Sequence, residues 1–323
     1  MFQSIVLVGA TGRVGAPILR NLLESTAPVF NVTVLVRETT SADAVQKAKP
    51  IIRQQGSREY AVRPVDYENH DSLVQALKGA DAVVSALPTT VAHKVDLLLL
   101  QAAQEAGVRR IFPSEYTLDV LHPLSVAAFG KDFPSVLNAN KFLSLVDASD
   151  APTSFTTIVP GMFFDYGLRG LLDMWDLKHD KAVLIDGGAE VFTGSSTGFI
   201  AACVVAALKM DEEKTKNKRI RIAEVQTTME EVRDVLEEVS GRTFSTVDVS
   251  SEEMARKKEE AVRAQDWAGV YVNTILPLNF GGGGPGNLSE GLTFDGDGNL
   301  LVRRKTLREL VQEAFESDLD SQA

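Results

Sequence analysis

The chain has 323 residues, 44% hydrophobic and 24% charged, which suits one large or two modest globular domains with a substantial core. A formal net charge of −11, with no Lys/Arg cluster, argues against non-specific binding to nucleic acid or to an acidic membrane. The single cysteine, Cys203, excludes an internal disulfide and fits a reducing compartment. Cys203 lies in an apolar helical run and reads as a buried, inert thiol. The longest apolar run, 200–208, is too short to span a bilayer, and residues 1–10 lack the basic start and cleavage site of a signal peptide. Four scattered histidines have no ligand spacing, so no metal site is expected. A cytoplasmic protein without membrane or nucleic-acid partners is the expectation.

The first predicted strand is the β-branched run Ile5-Val6-Leu7-Val8. Gly9-Ala10-Thr11-Gly12-Arg13-Val14-Gly15 follows, and a helix-like segment runs over 16–23. Strand, glycine turn and helix in that order are the context of a dinucleotide-binding loop. Glycines let the backbone approach a pyrophosphate, and the helix behind presents free N–H groups and the positive end of its dipole. The spacing is G-x-x-G-x-x-G, one residue longer at the front than G-x-G-x-x-G.

A second strand over 32–36 ends on Arg37, twenty-two residues beyond Gly15. An acidic residue there suits the ribose hydroxyls of NAD, whereas an arginine suits the 2′-phosphate of NADP. Lys47, on the next polar segment, offers a second charge. A third strand spans 60–65, and Asp66 beyond it is placed either to meet the adenine edge or to cap a helix over 71–78. A fourth strand, 82–86, ends at Ala86-Leu87-Pro88, expected beside the cofactor ribose. A helix over 91–106 closes at Gly107, and a fifth strand, 110–112, runs into Pro113-Ser114-Glu115-Tyr116. This rhythm predicts an α/β fold with a doubly wound parallel sheet that binds ligands at the carboxyl ends of its strands.

Residues 118–133 read as irregular. A helix over 135–148 carries Asn138, Asn140 and Lys141, and a sixth strand over 155–159 is broken by Pro160-Gly161. Met162-Phe163-Phe164-Asp165-Tyr166-Gly167 is aromatic enough to wall a nicotinamide and an apolar substrate; ordinary core packing explains Phe164 and Tyr166 equally well. Beyond it, 181–190 resembles a hairpin around Asp186-Gly187-Gly188, 220–223 a strand, and 228–240 a capped helix. Segment 250–265 reads as a solvated helix. The run Gly281 to Gly286 reads as a mobile loop at a site entrance or a plain linker. The domain expectation is a Rossmann domain over 1–160, with later strands from about 188–225 interleaved, and a substrate domain over most of 161–323.

With these residues in view, the chain resembles the isoflavone-reductase-like and NmrA-like branch of the atypical short-chain dehydrogenases. The resemblance rests on the loop at 9–15, Val-Leu-Val-Arg-Glu at 34–38, Phe-Pro-Ser-Glu-Tyr at 112–116, Lys141 and the strand ending at Val159. It implies a Rossmann domain binding NADPH/NADP and a smaller domain covering a small-molecule substrate, in a monomer or homodimer. It implies that Lys141 is the acid/base group, that Lys47 is a second 2′-phosphate contact, and that Gly161, Met162 and Phe163 pack over the nicotinamide. The chain departs from ordinary short-chain dehydrogenases at Leu137, where they carry a tyrosine four residues before the lysine. It departs from plant reductases at Pro160-Gly161-Met162.

The expected function is NADPH-dependent reduction of an apolar aromatic or polyketide-like molecule. Lys141 would stabilise or protonate the developing oxyanion, with its pKa depressed by burial beside the nicotinamide ring. The family also contains non-catalytic NADP(H) sensors, and an isomerase or cyclase on the same scaffold is a further alternative.

Overall fold

The computed structural model describes residues 1–38, 58–147, 152–289 and 302–320. Lys47 lies outside the described residues.

The large sheet is built from β1 (Ser4–Val8), β2 (Asn31–Arg37), β3 (Ala61–Val65), β4 (Ala82–Ser85), β5 (Arg110–Phe112) and β6 (Ser154–Val159). Their order across the sheet is 3-2-1-4-5-6, all parallel, and Lys218–Arg221 adds a seventh strand beside β6. This is the doubly wound arrangement, whose strand order reverses between β1 and β4, directly behind the glycine loop. α1 (Gly15–Glu24) buries Ile18, Leu19, Leu22 and Leu23 on one face of the sheet, together with the apolar helix Thr197–Lys209. α2 (His70–Leu77), α3 (Thr89–Ala106) and the helix Pro134–Asp147, α5, cover the other face. α2 starts at Asn69, whose side chain accepts the Ser72 amide, so Asn69 rather than Asp66 caps it.

The segment read as irregular contains a short helix, α4 (Pro123–Phe129). Pro123 at its first turn and His122 accepting the Leu124 amide are sufficient to start it.

The second core gathers around Trp175, Phe192, Phe164 and Phe280. The predicted hairpin over 181–190 does not form. Lys181–Ile185 pairs with Trp175–Asp176 and Ser245–Val249, whereas Phe192–Ser195 belongs to a different sheet, with Met162–Phe163 and Val225–Thr227. The Asp186-Gly188 turn leads the chain from one small sheet to the other. The helix Met229–Ser240 carries the capping box of Thr228 and Glu231. An antiparallel-looking pair of helices, Ser251–Ala264 and Trp267–Phe280, packs together before the glycine run.

That run is tied down. The Gly286 amide donates to the Leu278 carbonyl at 2.9 Å, its carbonyl accepts the Thr193 amide at 2.9 Å, and the Leu288 amide donates to Thr193 Oγ1 at 3.0 Å. A loop so bonded to a helix end and a strand is neither a mobile entrance flap nor a linker.

Candidate active site

The glycine loop leaves β1 with Gly9 at φ +81°, a conformation that L side chains avoid. A Cβ on Gly9 would overlap the Ala86 carbonyl, and one on Gly15 would overlap the Gly9 carbonyl. The Gly12 amide closes the turn by donating to the Gly9 carbonyl at 2.9 Å. Behind the turn, α1 has no capping side-chain bond and no acidic residue in its first turn. Its amide end is therefore a fitting seat for an anion.

Two cavities open at the carboxyl ends of the strands, one of them bordered by this loop. The outer one, about 550 Å³, is bordered by Arg37 and Glu38 at the end of β2, Val65 to Glu68 beyond β3, and Thr90 to Val95 on α3. Arg37 lies next to Tyr67, whose phenol is pushed up by burial and pulled partly back by the Arg37 charge. Asp66 stands in the same wall, and its Oδ1 accepts the Glu68 amide at 2.9 Å. Lys94 is paired with Glu68 at 2.8 Å.

The inner cavity, about 610 Å³, is walled by Gly12 to Val14, Ala86 to Thr89, Ser114, Tyr116 to Leu118, Gly161 to Phe163, Leu172, and Tyr271, Ile275 and Asn279. Thus Gly12, Arg13, Val14, Ala86, Leu87, Gly161, Met162 and Phe163 come together as the sequence suggested. Gly9 and Gly15 shape the loop from within, and Thr11 is exposed at its tip.

Three expectations come out differently. Phe164 is fully buried in the second core, 5.9 Å from Trp175 and 6.1 Å from Phe192 between ring centroids, and does not border the cavity. Its place as the first residue of a short helix turns it away from the cavity that Phe163 faces. Tyr166 does not line the cavity either; its ring lies under the Arg13 guanidinium at 4.7 Å. Lys141 sits on an exposed face of α5 and is absent from the cavity wall, while Asn138 one turn earlier is buried.

The inner wall rests on a buried polar group. Asp96, on α3, is fully buried; its Oδ2 accepts the Ser114 amide at 2.8 Å and faces Asn138 Nδ2 at 3.4 Å. Burial pushes its carboxyl up to about 6, against the pull of the neighbouring Ser85 hydroxyl and of the hydrogen bonds from Ser114 and Asn138. Ser114 Oγ in turn donates to the Leu87 carbonyl at 2.8 Å. On the far side of the β5 turn, Arg219 pairs with Glu115 and, at 3.1 Å, with Asp119. Burial raises the Glu115 carboxyl, with Arg219 opposing; at Asp119 the same burial is outweighed by Arg219 and Arg221, which hold it low. Cys203 is buried, its thiol pushed up by desolvation, as befits an inert side chain.

Sequence reasoning missed Asp96, Leu172, Tyr271, Ile275 and Asn279 as parts of this site. The last three recur at i, i+4 and i+8, one face of a helix, which is a legible periodicity. What it could not reveal is that the face looks back across more than one hundred residues onto the glycine loop.

An NmrA-like family model matches residues 1–131. Isoflavone reductase of Glycine max is 26% identical over 269 residues, covering 80% of this chain and 82% of its own length. Isoflavone reductase homolog IRL of Zea mays is 29% identical over 266 residues, covering 80% and 81%. Oxidoreductase poxI of Penicillium oxalicum is 24% identical, covering 79% and 76%. Among solved structures, AtPrR2 with NADP+ and (+)pinoresinol superposes with a TM-score of 0.73 at 20% identity, over 97% of this chain and 99% of its own. Leucoanthocyanidin reductase of Vitis vinifera with NADPH gives 0.73 at 16% identity, over 97% and 99%. These two share the fold. The chain is thus similar to the NmrA-like family at its glycine-loop end and to isoflavone reductases across about four-fifths of its length.

Proposed function

We propose that this protein is an NADPH-dependent reductase of neutral, apolar aromatic or polyketide-like molecules. The observation that carries the reading is a glycine turn, closed too tightly on backbone carbonyls to admit side chains at Gly9 or Gly15, that borders a largely apolar cavity, with a second cavity bearing Arg37 at the end of β2. Arg37 would hold the 2′-phosphate, the loop and the amide end of α1 the pyrophosphate, and Ala86, Leu87, Gly161, Met162 and Phe163 the nicotinamide end. NADPH supplies a hydride when bound. Leu118, Met162, Phe163, Leu172, Tyr271 and Ile275 would keep water from an apolar substrate beside it. The proteins named above as isoflavone, pinoresinol and leucoanthocyanidin reductases or their complexes support this substrate class by their names.

Lys141 would serve as the acid/base group, a role that requires it to turn from the exposed face of α5 toward the inner cavity. Its exposed position in the ligand-free chain favours a second reading, an NADP(H)-binding regulator without turnover. Side-by-side fluorescence titration with NADPH, NADP+ and NADH, followed by NADPH oxidation with an isoflavone as acceptor, separates the two. Tight NADPH binding with oxidation supports the reductase, and binding without oxidation of any phenolic acceptor supports the regulator. No binding of any nucleotide overturns both.

A further inference from the structure

Asp96 is a buried carboxyl behind the wall of the inner cavity, held against it through Ser114, and the proposed reduction does not use it. Three elements meet on it. It stands on α3, it accepts the amide of Ser114 at the end of β5, and it faces the amide nitrogen of Asn138 on α5, one turn before Lys141. Through Ser114 Oγ the same group is linked to the Leu87 carbonyl at the end of β4. The network is unevenly satisfied. Asp96 Oδ1, Asn138 Oδ1 and the Tyr116 hydroxyl are all buried without a hydrogen-bond partner among the described residues. Native proteins leave few buried polar atoms in that condition, because each costs its full desolvation penalty. One carboxylate oxygen is accounted for by the Ser114 amide and Asn138 Nδ2, and the other is left over, so the local hydrogen bonding alone does not explain a full carboxyl here.

We propose that Asp96 is a positioning residue for the nicotinamide end of the site, holding the β5 end and the Lys141-bearing helix in register through its charged form. The proposal rests on the NADP(H) reading above. A carboxylate is a stronger acceptor for the Ser114 amide and the Asn138 amide nitrogen than a carboxylic acid or an amide. Loss of its charge therefore loosens the floor formed by Leu87 and Ser114 and frees α5. Burial, with Glu115 adding repulsion, brings the titration of this group into an accessible pH range. The other titratable groups around it are Glu115 and Tyr116 beyond β5 and His93 on its own helix. Glu115 is held by Arg219, and the α5 side chain bonded to Asp96 is the uncharged Asn138. His93 also borders the outer cavity.

The test compares NADP+ with 2′-phospho-ADP-ribose, which lacks only the nicotinamide. Both carry the same 2′-phosphate and pyrophosphate, so titration of those groups cancels in the ratio of their dissociation constants. In the wild type, the advantage of NADP+ should fall at least about threefold as the pH drops from about 8 to about 5, with its midpoint near the Asp96 titration. In Asp96→Asn the advantage should be smaller and independent of pH, with 2′-phospho-ADP-ribose binding as in the wild type. Hydrogen exchange at the Ser114 amide should be faster in the variant without any ligand. A pH-independent ratio in the wild type overturns the proposal, whether or not the variant folds, and so does an unchanged pH limb in Asp96→Asn. Failure of both ligands to bind overturns the cofactor reading itself and this inference with it.

Discussion

The Ala86 carbonyl, at the end of β4, occupies the space that a side chain on Gly9 would need. Two strand ends are thereby pressed together at the point where the sheet order reverses, and the turn between them is left open to a ligand. Gly9→Ala should destabilise the protein by about 1–3 kcal/mol from the left-handed backbone alone, with the overlap adding to it. Thermal unfolding reads the first effect. NADPH titration of the folded fraction should show affinity lost as well, because the turn can relax only by moving its amides.

Arg37→Ala should remove the preference for NADPH over NADH. The wild type should favour NADPH by tenfold or more, a difference of about 1.4 kcal/mol, and the variant should bind the two about equally. An unchanged preference would place the 2′-phosphate elsewhere.

Lys141→Met should abolish NADPH oxidation while leaving NADPH affinity within about twofold, since a general acid or base is typically worth about 10²–10⁴ in rate. An active variant would remove Lys141 from the chemistry.

Phe164→Ala should cost about 3–5 kcal/mol of stability, as expected for a buried ring packed against Trp175 and Phe192. Chemical denaturation measures this. Phe163→Ala, on the cavity side, should instead change substrate affinity and spare most of the stability. The reverse pattern would exchange their roles.

The Asp96 carboxyl is raised from 3.8 to about 6 in the folded chain. The folded state thus holds more protons than the unfolded one between these values, so this group's contribution to stability falls as the pH rises from about 4 to about 6 and is level above. The full effect is roughly 3 kcal/mol, at about 1.4 kcal/mol for each pKa unit. Asp96→Asn lacks this loss. Its unfolding free energy, measured against the wild type at pH 5 and pH 8, should be relatively better at pH 8. An equal difference at both pH values would mean that the carboxyl titrates normally.

Much of the cofactor half was legible in the order of residues. Ile5 to Val8, the three glycines and Arg37 are local signals, because a buried parallel strand, a tight turn and the residue ending the next strand are each written within a few positions. The family resemblance rested on those positions together with Phe-Pro-Ser-Glu-Tyr at 112–116, Lys141 and the strand ending at Val159. Phe163 and Phe164 show where this ends: they are adjacent and chemically identical, yet one borders the cavity and the other fills the core. That division depends on a two-residue strand giving way to a helix, which neither periodicity nor composition encodes. The supposed hairpin at 181–190 failed for the same reason, since Lys181–Ile185 turned back onto Trp175–Asp176 and joined Ser245–Val249, while Phe192–Ser195 found its partners in another sheet. Asp96 looked like one polar residue in a helix; its burial, its hold on Ser114 and Asn138, and its place behind the cavity arise only when α3, β5 and α5 pack together. Local backbone chemistry is set by neighbours in the chain, whereas burial, and with it the cost and use of a charge, is set by neighbours in space.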